Sequence, residues 1–298
     1  MMIEVKNVVK RFDGFTALDG LNINVPKGAI YGLVGPNGAG KTTIIRHIAG
    51  IYRQDAGEVL VEGVPVYENV ALKRRIAHIP DDIFFFMQAS IKDMMKFYRG
   101  IYTGFDMDRY NKLREVFELD EKRPMRRLSK GMQKQAAFWL ALAMRPDVLV
   151  LDEPVDGLDP VMRRQVWSLV MADVAEYGTT VLVSSHNLRE LEDVCDHVGI
   201  MNEGKMLIER NLSDMQGNII KLQIALPEGE ELPAGLDILS SNKNGRLHTL
   251  IVRGTAAEAE NKIAAMPALF MDVLPLTLEE IFIYELGGVC YAVKDIIL

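Results

Sequence analysis

The stretches "IEVKNVV" (3–9) and "LNINV" (21–25) alternate apolar and polar positions, the period-two pattern of strands buried on one face. "AIYGLVG" (29–35) is apolar almost throughout and runs into glycines, as a fully buried strand entering a turn does. "TTIIRHIAGI" (42–51) then takes up helical spacing. Strands are expected again at "GEVLVEG" (57–63) and "RRIAHIP" (74–80). From about 90 to 145 the pattern is mostly helical, and Ser90 with Asp93 marks a helix start. "DVLVLDEP" (147–154) and "TTVLVSSH" (179–186) are short apolar runs rich in Val and Leu. Between them, Asp159-Pro160 supplies an N-cap residue and a proline at the first helical position. Buried strands alternating with helices predict an α/β fold around a largely parallel sheet.

The character changes near "SDMQGN" (213–218). A strand, "IIKLQIAL", is expected next, then a hairpin around "NKNG" (242–245). Thr255 with Glu258, and Thr277 with Glu280, are spaced as capping boxes. Residues 1–216 thus read as the main domain and residues 217–298 as a small α+β appendage. The appendage holds 11 acidic and 6 basic residues, so it carries −5 of the total formal charge of −7. That acidic balance gives no support to nucleic-acid binding as the main activity. With 298 residues, 49% of them hydrophobic, the chain has ample material for a core. Cys195 and Cys290 form no C-x-x-C pair, which argues against a disulfide scaffold or zinc ribbon and fits a reducing compartment. The start, "MMIEVKNVVK", lacks an apolar signal core, and no apolar run reaches the roughly 18 residues of a helical membrane span.

"GPNGAGKTT" (35–43) fits the phosphate-loop pattern G-x-x-x-x-G-K-[ST] and lies between an expected strand and an expected helix. Gly35, Gly38 and Gly40 let the backbone fold around an anion, with Pro36, Asn37 and Ala39 completing the cradle. The helix behind it adds its positive end. Lys41 is placed to reach β- and γ-phosphates, the Thr42 hydroxyl to ligate Mg²⁺, and Thr43 to donate to an α-phosphate. Asp152 and Glu153 end a buried strand, where ligands bind in open α/β sheets. Asp152 is suited to hold Mg²⁺, directly or through water, and Glu153 to polarise an attacking water. His186, also at a strand end, is suited to a γ-phosphate, although a lone histidine has a structural reading as well. His47, His78, His197 and His248 show no comparable context.

Taken in order, the phosphate loop, "LSKGMQ" (128–133), "LVLDEP" (149–154), "GLDP" (157–160) and "SSH" (184–186) resemble the ATP-binding subunit of an ABC transporter, over roughly residues 2–212. The resemblance implies a P-loop NTPase fold with an N-terminal antiparallel β-subdomain, a parallel-sheet core and a helical subdomain at about 84–145. It implies ATP and Mg²⁺ as ligands and a second nucleotide-binding domain, of the same or another chain, paired head to tail. ATP on one phosphate loop would be capped by Ser129, Lys130 and Gly131 of the other domain, with Asp159 in the loop joining the two sites. Phe12 would stack on adenine, with Phe15 as the second candidate.

Two positions depart from the family pattern. Asp81 stands where the family usually has a glutamine that contacts Mg²⁺, and Asp82 is a less suitable substitute by spacing. Lys130 replaces the first signature glycine. Lysine would be strained there if the position needed positive φ, and unstrained in a first helical turn. Arg123, Arg126, Arg127 and Lys134 read as a solvated basic face. "IFFFMQASIKDMM" (83–95) is either a docking patch for a membrane subunit or the core of the helical subdomain. The family further implies a separate transmembrane permease, a peripheral place on the cytoplasmic face of the membrane, and, from the short signature and the tail around "PLTLEEIFI" (275–283), export. The rival class is a soluble ABC ATPase acting on ribosomes or DNA. A single cassette without long heptads disfavours that class, and the presence of both Glu153 and His186 disfavours a purely regulatory module.

Overall fold

The computed structural model describes residues 1–212, 219–227, 232, 235–255, 258, 269–274, 276, 277, 279, 280 and 284. The chain forms two compact units: Met1–Asn187 with Asp193–Glu209, and Leu188–Glu192 with the residues from Arg210 onward. No helix among the described residues is long and apolar enough to cross a membrane.

The first unit runs β1 (Ile3–Phe12), β2 (Phe15–Val25), β3 (Ile30–Val34), α1 (Lys41–Ile48), β4 (Ala56–Val61), β5 (Val64–Pro65), α2 (Val70–Lys73), β6 (Ile76–Ile79), α3 (Ile91–Ile101), α4 (Met107–Phe117), α5 (Lys130–Ala143), β7 (Val148–Asp152), α6 (Pro160–Tyr177), β8 (Thr180–Ser185), β9 (His197–Asn202) and β10 (Lys205–Asn211). β2, β1, β4 and β5 form an antiparallel sheet in that order. Leu21, Ile23 and Val25 are buried while Asn22 and Asn24 between them are exposed, the alternation seen in the sequence. In β1 the alternation slips at Asn7, which takes a φ of 49° and donates its N–H to Asn22 Oδ1 at 3.0 Å. A two-residue turn, Asp13-Gly14, joins β1 to β2 with both residues at positive φ.

The second sheet has the order β10-β9-β3-β8-β7-β6, and its β9-β3, β3-β8, β8-β7 and β7-β6 pairings are parallel. Every residue of β3, β7 and β8 is buried, which accounts for their unbroken apolar runs. Parallel strands put their carboxyl ends on one edge, so the residues after β3, β7 and β8 gather there. β9 and β10 carried no expectation from the sequence pattern.

Between β6 and β7 lie α3, α4 and α5. Ser90 caps α3 with a complete capping box with Asp93, as expected. Tyr110 of α4 stacks on Trp139 of α5 at 4.7 Å, and the indole N–H donates to the Tyr110 carbonyl at 2.8 Å. Asp159 caps α6 by accepting from the Val161 and Met162 N–H groups, both at 3.0 Å, with Pro160 at the first helical position.

The second unit contains β11 (Ile219–Ala225), β12 (Asp237–Asn244), β13 (Leu247–Arg253) and β14 (Phe270–Leu274) in the order β12-β13-β11-β14. β12 and β13 form the expected hairpin around 242–245. Leu222, Ile224, Leu226, Leu250 and Val252 are its buried cluster. Both expected capping boxes form: Thr255 and Glu258 exchange bonds of 2.9 and 3.3 Å, and Thr277 and Glu280 bonds of 2.9 and 3.2 Å. Most of the helical sequence that should follow each box lies outside the described residues.

Candidate functional site

The loop from β3 to α1 is held from behind. Ala39 donates to the Pro36 carbonyl at 3.1 Å and accepts from the Gly204 N–H at 3.0 Å, while Asn37 and Gly38 are exposed. Gly40 takes a φ of 102°, and a Cβ there would meet the Ala17 carbonyl at 2.8 Å, so it must be glycine on both counts. Gly35 does not need positive φ. Its missing side chain makes room for the Met201 carbonyl instead, a packing reason the sequence did not reveal. Lys41 is buried at 6% exposure, and its ammonium donates to the Gly35 carbonyl and, at 3.3 Å, to the Pro36 carbonyl. Thr42 is exposed at the start of α1 and Thr43 is half-buried.

Opposite this loop stands the end of β7. Glu153 Oε1 lies 3.5 Å from Lys41 Nζ, and its Oε2 accepts from the His186 backbone N–H at 3.3 Å and from His186 Nδ1 at 2.9 Å. Asp152 is 2% exposed, and its Oδ1 accepts from the Ser184 hydroxyl at 2.6 Å. The same hydroxyl accepts from the Glu153 N–H at 3.1 Å. Ser184 therefore positions both acids. It was visible in "SSH" but had no role there, because a serine inside a buried strand reads as an ordinary small residue. Carboxylate or ring atoms of Glu153, Asp156 and His186 lie within 4.8 Å of one another. The structure thus brings Lys41, Asp152, Glu153 and His186 to one edge of the sheet. His78, on the neighbouring strand β6, has its pKa lowered to about 4 by burial, against the opposing pull of the Asp152 charge. It is neutral at pH 7, and its structural reading stands.

Lys134 corrects the sequence reading of a solvated basic face. It is 5% exposed, and its ammonium donates to the Glu153 carbonyl at 2.7 Å and pairs with Asp81 Oδ1 at 3.2 Å. Arg126 and Arg127 are exposed as expected, and Arg123, also exposed, donates to the Arg127 carbonyl at 2.8 Å. The Asp81 side chain is 58% exposed. It therefore offers a carboxylate to solvent while one oxygen is tied to α5.

Ser129 caps α5 by accepting from the Met132 N–H at 3.2 Å, and Lys130 is the first helical residue, exposed and without positive φ. Of the two possibilities at Lys130, the unstrained one holds. Gly131 is needed for packing: a Cβ there would meet the Gly157 carbonyl at 2.8 Å. The turn before α5 and the turn before α6, which ends in exposed Asp159, are therefore in contact within one chain.

Phe12 and Phe15 flank the Asp13-Gly14 tip of the β1–β2 hairpin, at 38% and 65% exposure. Phe12 sets its ring against Tyr52 at 5.6 Å, Tyr52 meets His47 of α1 at 5.8 Å, and His47 Nδ1 donates to the Thr43 carbonyl at 2.7 Å. This chain of contacts joins Phe12, rather than Phe15, to the helix behind the phosphate loop. The segment 83–95 divides. Met94 and Met95 are buried in α3, whereas Phe84, Phe86 and Met87 are exposed. Phe86 lies edge-to-face between Phe84, at 6.0 Å, and Phe97, at 4.8 Å.

The profile of the family described as "ABC transporter" matches residues 18–156. The ABC transporter ATP-binding protein YtrB of Bacillus subtilis (strain 168) is 32% identical over 288 residues, 96% of this chain and 99% of that protein. The daunorubicin/doxorubicin resistance ATP-binding protein DrrA of Streptomyces peucetius is 32% identical over 74% of this chain and 70% of that protein. A solved structure described as the ATP binding subunit of an ABC transporter superposes with a TM-score of 0.67 at 25% identity, over 72% of this chain and 92% of that one.

Proposed function

Because the chain belongs to the ATP-binding proteins of the ABC transporter family, we propose that Glu153 activates water against ATP held on Lys41, and that this hydrolysis drives a separate membrane subunit. The observation that carries the reading is the Glu153 carboxylate, held between the Lys41 ammonium and His186. Lys41 neutralises the β- and γ-phosphates, and the exposed N–H groups of the loop and of α1 bind the remaining oxygens. Glu153 accepts the proton of the attacking water. His186 orients Glu153 and the γ-phosphate. Phosphoryl transfer asks for little else than positioning and charge stabilisation.

The oxygen donors fit Mg²⁺. The buried, serine-held carboxylate of Asp152, the exposed hydroxyl of Thr42 and the exposed carboxylate of Asp81 are the hard ligands this ion prefers. When bound, the ion would neutralise charge on the phosphates.

The site is completed by a second nucleotide-binding domain. Ser129, Lys130, Gly131 and Asp159 are exposed or partly exposed on adjoining turns, available to a partner's ATP. Lys130 adds a cation towards that triphosphate. Lys130→Gly is expected to preserve pairing and to weaken ATP-driven closure by about threefold at low salt, with the difference vanishing near 1 M salt. Light scattering across an ATP titration reads both, and equal closure at every salt concentration would make Lys130 irrelevant.

The exposed Phe84–Phe86 face is the docking surface for the membrane subunit, and the protein works on the cytoplasmic face of the membrane. The likeness to a drug-resistance protein supports export, and the transport names of the relatives favour this reading over the soluble ribosome- or DNA-associated class. Phe84→Ser with Phe86→Ser is expected to reduce the membrane-bound fraction about tenfold or more, as loss of an aromatic anchor does. ATP turnover of the free protein and its melting temperature should not change. Undiminished membrane association of the double variant rules this surface out.

A further inference from the structure

Lys134 belongs to none of the site motifs, yet it touches two of the groups that serve the site. A buried ammonium is tolerated only when it is paired and hydrogen-bonded. Here the partners are the Glu153 carbonyl at 2.7 Å and Asp81 Oδ1 at 3.2 Å. The first partner belongs to a left-handed residue. Glu153 has a φ of 44°, a region uncommon for residues with a side chain, although seven other described residues, four of them glutamates, also occupy it. Ser184 holds its N–H and Lys134 holds its carbonyl. Those two bonds fix the peptide planes on both sides of the Glu153 Cα, and with them the direction of its carboxylate.

The second partner accounts for a departure from the family pattern. An amide at position 81 would give Lys134 no counter-charge, whereas Asp81 does. The buried lysine and the acidic residue complement each other. The same helix, α5, is capped by Ser129 and carries Lys134 five residues on. At roughly 1.5 Å per residue, the end offered to a partner's nucleotide and the group holding Glu153 are under 8 Å apart along one rigid element.

We propose that Lys134 is a positioning residue for ATP hydrolysis: paired with Asp81, it holds the left-handed Glu153 turn that aims the carboxylate between Lys41 and His186. This rests on the reading of Glu153 as the base. A displacement of α5, from whichever end it starts, reaches the Glu153 carbonyl through the Lys134 ammonium.

The test uses the full chain and three substitutions: Lys134→Met, which keeps the stem and loses the charge; Lys134→Gln, which can still donate to the carbonyl; and Asp81→Asn. Lys134→Met should lower kcat by about 10- to 100-fold, the scale of a small misplacement of a reacting group. The equilibrium Kd for ATP should stay within about threefold. Without nucleotide, Asp81→Asn should lower the melting temperature by about 2 °C in the wild-type background and leave it unchanged in the Lys134→Gln background. Unchanged kcat in Lys134→Met, or ATP affinity falling in step with kcat, overturns the proposal. So do equal melting shifts for Asp81→Asn in both backgrounds, and this arm decides alone if Lys134→Met does not fold. Wild-type protein that neither binds nor hydrolyses MgATP would refute the functional reading instead, a result the nucleotide-free melting cycle keeps separate.

Discussion

Glu153→Gln should lower ATP turnover by about a thousandfold, within the range lost with a general base, and leave ATP bound. Glutamine has the same shape and keeps an acceptor for the His186 backbone N–H, which Glu153 Oε2 now meets at 3.3 Å. What it removes is the charge and the capacity to accept a proton from water. The Lys41 ammonium, 3.5 Å from the present carboxylate, then has no anion beside it except phosphate. ATP affinity should therefore hold or rise. Two such chains should remain paired on MgATP, since the step that opens them is blocked. Size-exclusion chromatography with and without MgATP, beside a phosphate-release assay, checks both halves. A variant that stays monomeric in MgATP and turns over at the wild-type rate contradicts both roles given to Glu153.

Lys41→Ala should weaken ATP binding by about a hundredfold. Charge-assisted bonds to phosphate are among the strong ones, and a water-poor setting enlarges them. The Lys41 side chain is 6% exposed, and its partners are backbone carbonyls of the loop and Glu153. Removing it leaves Glu153 opposite the phosphates with no intervening cation, so repulsion adds to the lost attraction. Isothermal titration with MgATP measures the effect, and the melting temperature separates it from damage to the loop. Affinity within threefold of wild type in a folded variant would remove the phosphate-loop assignment.

Much of this site was legible in the sequence because its parts are local. A glycine loop between a buried strand and a helix, or an acid pair at the end of an apolar run, needs only neighbours a few residues away. Asp13-Gly14 between alternating runs is equally local, a pair suited to a two-residue hairpin turn. Lys134 was not legible. It lies one turn into a helix whose stretch Phe138–Ala143 is buried on every face, so no amphipathic period indicates which side of α5 meets the core. Its burial is decided by Asp81 and Glu153, 53 and 19 residues away in the chain. Ser184 failed to stand out for a similar reason, since its partners lie 32 and 31 residues upstream. β10 joins the second sheet at its edge, outside β9, where pairing partners rather than composition decide the matter.

The left-handed backbone at Glu153 sets the comfort of the chain against its chemistry. Here glycine or asparagine would fit the dihedral more comfortably, by on the order of 1 kcal/mol, and would abolish the chemistry. Selection for heat resistance alone would thus drift towards silent enzymes at this one site. Stabilising this turn by Glu153→Gly or Glu153→Asn would come with loss of turnover, which makes residue 153 a place where laboratory stabilisation and natural use part company.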